Sequence, residues 1–130
     1  MIDEYLIPNA SFLRLYDEYK KYGKLVVAYD FDNTVYDFHK KGNTYTQVIE
    51  LLQSLSAARC YMICFTANSD KVFIESYLRQ YYIPFDSVNE NPPFFKCEER
   101  KIYYNVLLDD RAGLVQVYQE LTLLLKLINS

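Results

Sequence analysis

Four aspartates stand at the ends of apolar runs. Leu25-Val26-Val27-Ala28-Tyr29 leads into Asp30-Phe31-Asp32, and Val106-Leu107-Leu108 leads into Asp109-Asp110. In an extended segment, residues two apart point to one side, so Asp30 and Asp32 would face each other's charge. Carboxylates so crowded either retain a proton or share a cation. Hard oxygen donors with open positions suit Mg²⁺, which keeps part of its water shell and takes phosphate oxygens. A third apolar run, Cys60 to Phe65, ends in Thr66, whose hydroxyl could donate to a phosphoryl oxygen. Lys101, just before the last apolar run, could supply a compensating positive charge. A cation site, a hydroxyl donor and a lysine around an anionic centre fit phosphoryl transfer.

The elements that must position these groups follow from periodicity. The runs at 25–29, 60–65 and 102–108 are short and nearly continuous, as in strands buried on both faces of a parallel sheet. Asp86–Asn89 is expected to hold a short further strand. Helical patterns lie between them, at about 9–22, at 46–56, after Ser69 or Asp70, and from about 112 to the end. Asn9 or Ser11 is the expected cap of the first helix, and Gly23 its end. Strands alternating with helices imply a doubly covered parallel sheet, a three-layer α/β/α sandwich of four or five strands. The strand before Asp30 should be central, between those ending at Phe65 and Leu108. In such sheets ligands bind beyond the carboxyl ends of the strands, where all three polar clusters would emerge.

The chain of 130 residues is read as a single domain, a helix at about 9–22 and a core from about 24 to 130. Its 51% hydrophobic and 24% charged composition is that of a folded protein. The net charge of −3 weighs against a nucleic-acid footprint, and the lysines at 20, 21, 24, 40 and 41 suit a solvated face. Cys60, Cys64 and Cys97 form no disulfide pattern, and the first two suit a core. No apolar run reaches the roughly 18 residues of a membrane span, and no secretory signal opens the chain, so a reduced, cytoplasmic setting without a membrane partner is expected. No P-loop or G-x-G-x-x-G motif is present.

Four motifs in one order resemble those of the haloacid dehalogenase (HAD) superfamily. Asp30-Phe31-Asp32-Asn33-Thr34-Val35 is similar to its D-x-D-x-T-[VLI] motif, and Ile63-Cys64-Phe65-Thr66 to its second. Lys101 resembles the third-motif lysine, with Lys96 and Lys71 as weaker candidates, and Val106 to Asp110 resembles the fourth. A receiver domain uses similar groups, but its acidic pair comes first and its lysine last. The resemblance implies an HAD-like, Rossmann-like fold and a Mg²⁺-dependent phosphatase. Asp30 would be the nucleophile and Asp32 the proton donor and later the base. Thr66 and Lys101 would hold the phosphoryl group, with Ala67 and Asn68 beside it. The metal would be held by Asp30, the backbone carbonyl of Asp32, Asp110 directly and Asp109 through water.

The intervals between the motifs leave no room for a cap domain. The resemblance therefore implies an open site, for phosphate on a large partner or for small phosphates under a neighbouring subunit or the segment 89–95. Small phosphomonoesters, a nucleic-acid 3′-phosphate and a phosphoprotein stay open as substrates, with nucleic acid disfavoured by the acidic balance. His39 and Lys40 lie near the expected site, and Arg111 could pair with a carboxylate, a substrate or a surface group. The alternative is a HAD-like binding module without catalysis.

Overall fold

The computed structural model describes residues 3–96 and 101–129. Cys97, Glu98, Glu99 and Arg100 lie outside the described residues. After a 3-10 turn at Glu4–Leu6 come α1 (Ala10–Tyr22), β1 (Val26–Tyr29), α2 (Thr46–Ala57), β2 (Tyr61–Cys64), α3 (Lys71–Gln80), β3 (Ser87–Val88), β4 (Val106–Leu108) and α4 (Leu114–Ile128). The strands form one parallel sheet in the order β3-β2-β1-β4. β1 is central, between β2 and β4, as its unbroken apolar run predicts: Leu25 to Tyr29 are all buried.

The helices follow their apolar spacing. Val48, Leu51, Leu52 and Leu55 of α2 recur at three- and four-residue intervals and are buried. Asp70, not Ser69, caps α3, its carboxylate accepting the Phe73 amide at 3.1 Å. Gly23 ends α1 in the left-handed region, its N–H donating to the Tyr19 carbonyl at 2.7 Å. The expected cap of α1 is corrected: Asn9 itself sits left-handed with no side-chain cap bond, and the Ser11 hydroxyl donates to Glu120 of α4.

All four helices contribute buried side chains to one core with Val27, Tyr29, Met62 and Cys64. The other sheet face, Val26, Ala28 and Ile63, packs against Tyr61, Phe65, Leu107 and Ile102-Tyr103-Tyr104. The sheet is thus covered on both faces, as an α/β sandwich without a cap. Among the described residues, the second cover comes from the β3–β4 connection. This alters one expectation: β4 does not begin at Ile102. Residues 102–104 lie over the sheet, and the ladder starts at Val106.

Three side-chain clamps lengthen the short ladders. Asn105 accepts the Val26 amide at 2.7 Å on its side chain and donates its own amide to the Val26 carbonyl at 2.8 Å. Asp86 does the same with Met62, and Asn89 binds Thr66 through both side-chain atoms. These bonds satisfy backbone groups that two- and three-residue strands would leave bare. Cys60 and Cys64 are buried and free, and burial pushes the Cys64 thiol up to about 12. No helix among the described residues is long and apolar enough to cross a membrane.

Candidate active site

The carboxyl ends of β1, β2 and β4 open on one cavity of about 460 Å³. Asp30, Asp32, Thr66, Ala67, Asp109 and Asp110 all line it, as the sequence predicts. Asn33, Phe38, His39 and Arg111 complete the lining.

Backbone bonds fix Asp30 at the seam between strands, its amide donating to the Leu108 carbonyl at 2.8 Å. Beyond it the chain folds into a tight loop. The Phe31 carbonyl accepts the amides of Val35 and Tyr36 at 3.1 and 2.9 Å, and the Asn33 amide donates to the Tyr36 carbonyl at 2.9 Å. Asn33 turns this loop at φ 60°, a value asparagine tolerates better than most residues. The loop stands on an aromatic base: Phe31, fully buried, stacks on Tyr36 at 4.9 Å and meets Phe73 and Tyr77 edge-on. Asp32 is thereby carried to the cavity wall without belonging to a strand.

One oxygen from each of Asp30, Asp109 and Asp110 lies within 4.8 Å of the others. Burial, first, a hydrogen bond with Asp110, second, and the charge of Asp109 raise the Asp30 carboxyl from 3.8 to about 7; the Phe31 amide opposes them. Burial and then the charge of Asp110 also raise Asp32. Its Oδ1 is buried without a hydrogen-bond partner. A buried carboxylate oxygen left bare is costly, so Asp32 is set to carry a proton or to meet a ligand.

The acidic pair is braced from beneath. Thr34 is fully buried; its hydroxyl accepts the Asp110 amide at 3.2 Å and lies 3.5 Å from the Asp110 carboxylate. The motif placed a threonine there, but not its task, which depends on β1 and β4 being neighbours. On the other side, the Thr66 hydroxyl accepts the Asn68 amide at 3.1 Å and keeps its proton free to donate. Asn89 holds the Thr66 backbone, a role visible only once β3 lies beside β2.

Two expected site residues are not brought here. Asn68 spends its side-chain oxygen on the Asp70 amide, at 2.9 Å, and does not line the cavity. Lys101 is exposed and outside the lining, as are Lys96 and Lys71, the last paired with Glu90 at 3.2 Å. Nor does the segment 89–95 roof the site. Phe94 and Phe95 lie with Lys24, Val26 and Tyr103, at the opposite end of β1, where Lys24 stands 4.0 Å above the Phe94 ring. Phe38 and His39 line the cavity, whereas Lys40 stays exposed outside it.

No protein-family profile and no curated protein matches the chain. Among solved structures, a conserved protein coded by a locus of Bacteroides thetaiotaomicron aligns with 76% of this chain and 90% of its own. The TM-score is 0.61 at 20% identity, a likeness that speaks for the fold alone.

Proposed function

We propose that this chain is a Mg²⁺-dependent phosphohydrolase that cleaves a phosphomonoester through an aspartyl-phosphate on Asp30, in the manner of the HAD superfamily that its motifs resemble. The observation that carries the reading is the joining of Asp30, Asp109 and Asp110 at one point, beside an Asp32 whose buried oxygen lacks a partner. The donor set fits a hard cation. Oxygens sharing one Mg²⁺ or Ca²⁺ lie at most about 4–5 Å apart, twice the metal–ligand distance. Asp30, Asp109, Asp110 and the Asp32 carbonyl are the groups that would hold it, and the bound ion would withdraw charge from the phosphoryl oxygens.

The residues then divide the work. An Asp30 oxygen attacks phosphorus, and its new O–P bond forms as the bond to the leaving oxygen breaks. Asp32, its carboxyl pushed up by burial and then by the charge of Asp110, is the group that gives a proton to that oxygen. A water then attacks the phosphoryl group, Asp32 takes the water's proton, and the Asp30–phosphorus bond breaks to release phosphate. Thr66 donates to a phosphoryl oxygen throughout. The absence of a cap leaves the mouth open to large phosphorylated partners as well as to small ones.

A binding module without turnover is the competing reading, and the placement of Lys101 outside the cavity is the observation in its favour. A panel of sugar, nucleotide and aryl phosphomonoesters and phosphopeptides, with Mg²⁺ and again with excess chelator, separates the two. Turnover that disappears with chelator is expected. Turnover undiminished by chelator would refute the metal, and binding without turnover across the panel would favour the module.

A further inference from the structure

We propose that Arg111 is the residue that anchors the anionic end of the substrate in the cavity, the task that the motif order would give to Lys101. The inference rests on the phosphomonoester reading of the site and names the group that recognises the phosphate.

Three observations carry it. Arg111 is the one lysine or arginine among the described residues that line the cavity. Its backbone is held in place: its amide donates to Asp109 Oδ1 at 2.8 Å, and the next amide, Ala112, donates to the Asp109 carbonyl at 3.0 Å. The same aspartate that faces the cavity thus holds the turn from which the guanidinium extends. Third, no ion pair among the described residues uses it; those pairs join Lys20 to Asp17, Lys71 to Glu90 and Arg79 to Glu75. An arginine beside four carboxyl groups, yet paired with none, keeps its donors for another anion.

Charge balance asks for such a group. Asp30, Asp32, Asp109 and Asp110 carry up to four negative charges, one divalent ion cancels two, and a phosphomonoester dianion restores them. A fixed cation is needed for the dianion to enter, and Lys101 does not reach the lining. A guanidinium is also the better shape: it stays charged and offers parallel donors to two phosphoryl oxygens, which an ammonium cannot.

The test is titration of inorganic phosphate into the full chain in excess Mg²⁺, followed by calorimetry. Arg111→Ala should weaken phosphate binding on the order of 10- to 100-fold, the worth of one charge-assisted contact. Arg111→Lys should recover part of the loss, and Lys101→Ala should change binding less than about threefold. Arg111→Gln repeats the test should the alanine variant fold poorly. Phosphate binding unchanged in Arg111→Ala and Arg111→Gln, or lost as much in Lys101→Ala, overturns the inference, as does wild-type protein that binds no phosphate. Arg111-dependent binding by a wild type that hydrolyses nothing would keep the anchor and refute the hydrolase. Hydrolysis with KM unmoved by Arg111→Ala would do the reverse.

Discussion

Replacing Asp30 by asparagine should stabilise the metal-free protein at alkaline pH while abolishing turnover. The Asp30 carboxyl is raised from 3.8 to about 7, by burial first and by its acidic neighbours next. Below pH 4 it is protonated in both folded and unfolded chains and contributes no difference. Between pH 4 and 7 the unfolded chain gives up the proton and the folded one retains it. Stability therefore falls as pH rises through this window, and the loss is complete above about 7. Each pKa unit corresponds to about 1.4 kcal/mol, so roughly three units would be about 4 kcal/mol in an enclosed site. Asp30 is only half-buried, and solvent screening reduces this to about 1–2 kcal/mol. For a domain of this size that is a rise of about 3–10 °C in Tm. Calorimetry of wild type and Asp30→Asn in chelator should show the variant melting higher at pH 8, with the gap closing toward pH 4. Added Mg²⁺ should reverse the order, because it stabilises whichever protein binds it more tightly. A variant that melts at or below wild type in chelator at pH 8 would refute the carboxylate crowding on which the site argument stands.

Three further outcomes are expected. Asp32→Asn should leave the nucleophile but remove the proton shuttle, lowering turnover by about 10²–10⁴-fold; with an activated aryl phosphate it should accumulate a hydroxylamine-sensitive phosphoenzyme that Asp30→Asn cannot form. Mass spectrometry after acid quench checks this, and label on Asp30→Asn would refute the covalent assignment. Asp110→Asn should weaken Mg²⁺ binding in calorimetry more than Asp109→Asn, since Asp109 Oδ1 already accepts the Arg111 amide; the opposite order would exchange the two roles. Thr34→Val should leave the Asp110 amide without its acceptor in a part-buried place, costing about 0.5–1.5 kcal/mol in urea unfolding and weakening Mg²⁺ binding. Unchanged metal affinity in Thr34→Val would show that the brace does not position Asp110.

The central features were legible because each has a local cause. Unbroken apolar runs mark β1 and β2, regular apolar spacing marks α2 and α4, and the aspartates follow directly on the strands that carry them. What was not legible depends on the neighbour across space. Ile102-Tyr103-Tyr104 reads as strand by composition, yet its side chains cover the bare face of Val26, Ala28 and Ile63. Burial of that face outweighed β-propensity, and the ladder starts only at Val106, with Asn105 clamping Val26 just before it. Asn68 looked available for substrate because nothing in the sequence reveals that its oxygen would close a turn on the Asp70 amide. Lys101 is expected at the site because it directly adjoins the last apolar run, which says nothing of where a long connection carries its side chain.

Strand order explains why that connection lies where it does. From β1 to β2 to β3 the chain steps outward along one side of the sheet, and β4 lies on the other side of β1. The passage from β3 to β4 must therefore span β2 and β1, about 14 Å at the usual strand spacing. The face behind α2 and α3 is taken, so the passage runs over the opposite one, the arrangement that right-handed crossovers require. Phe94 and Phe95 are thereby drawn to the end of β1 remote from Asp30. The reversal of direction at β1 also leaves the gap between β1 and β4 free of a crossing connection at the carboxyl end. Asp30 and the Asp109–Asp110 pair flank that gap, and Arg111 turns into the cavity at its edge. The same topological step that removes the aromatic segment from the site creates the opening in which the carboxyl groups meet.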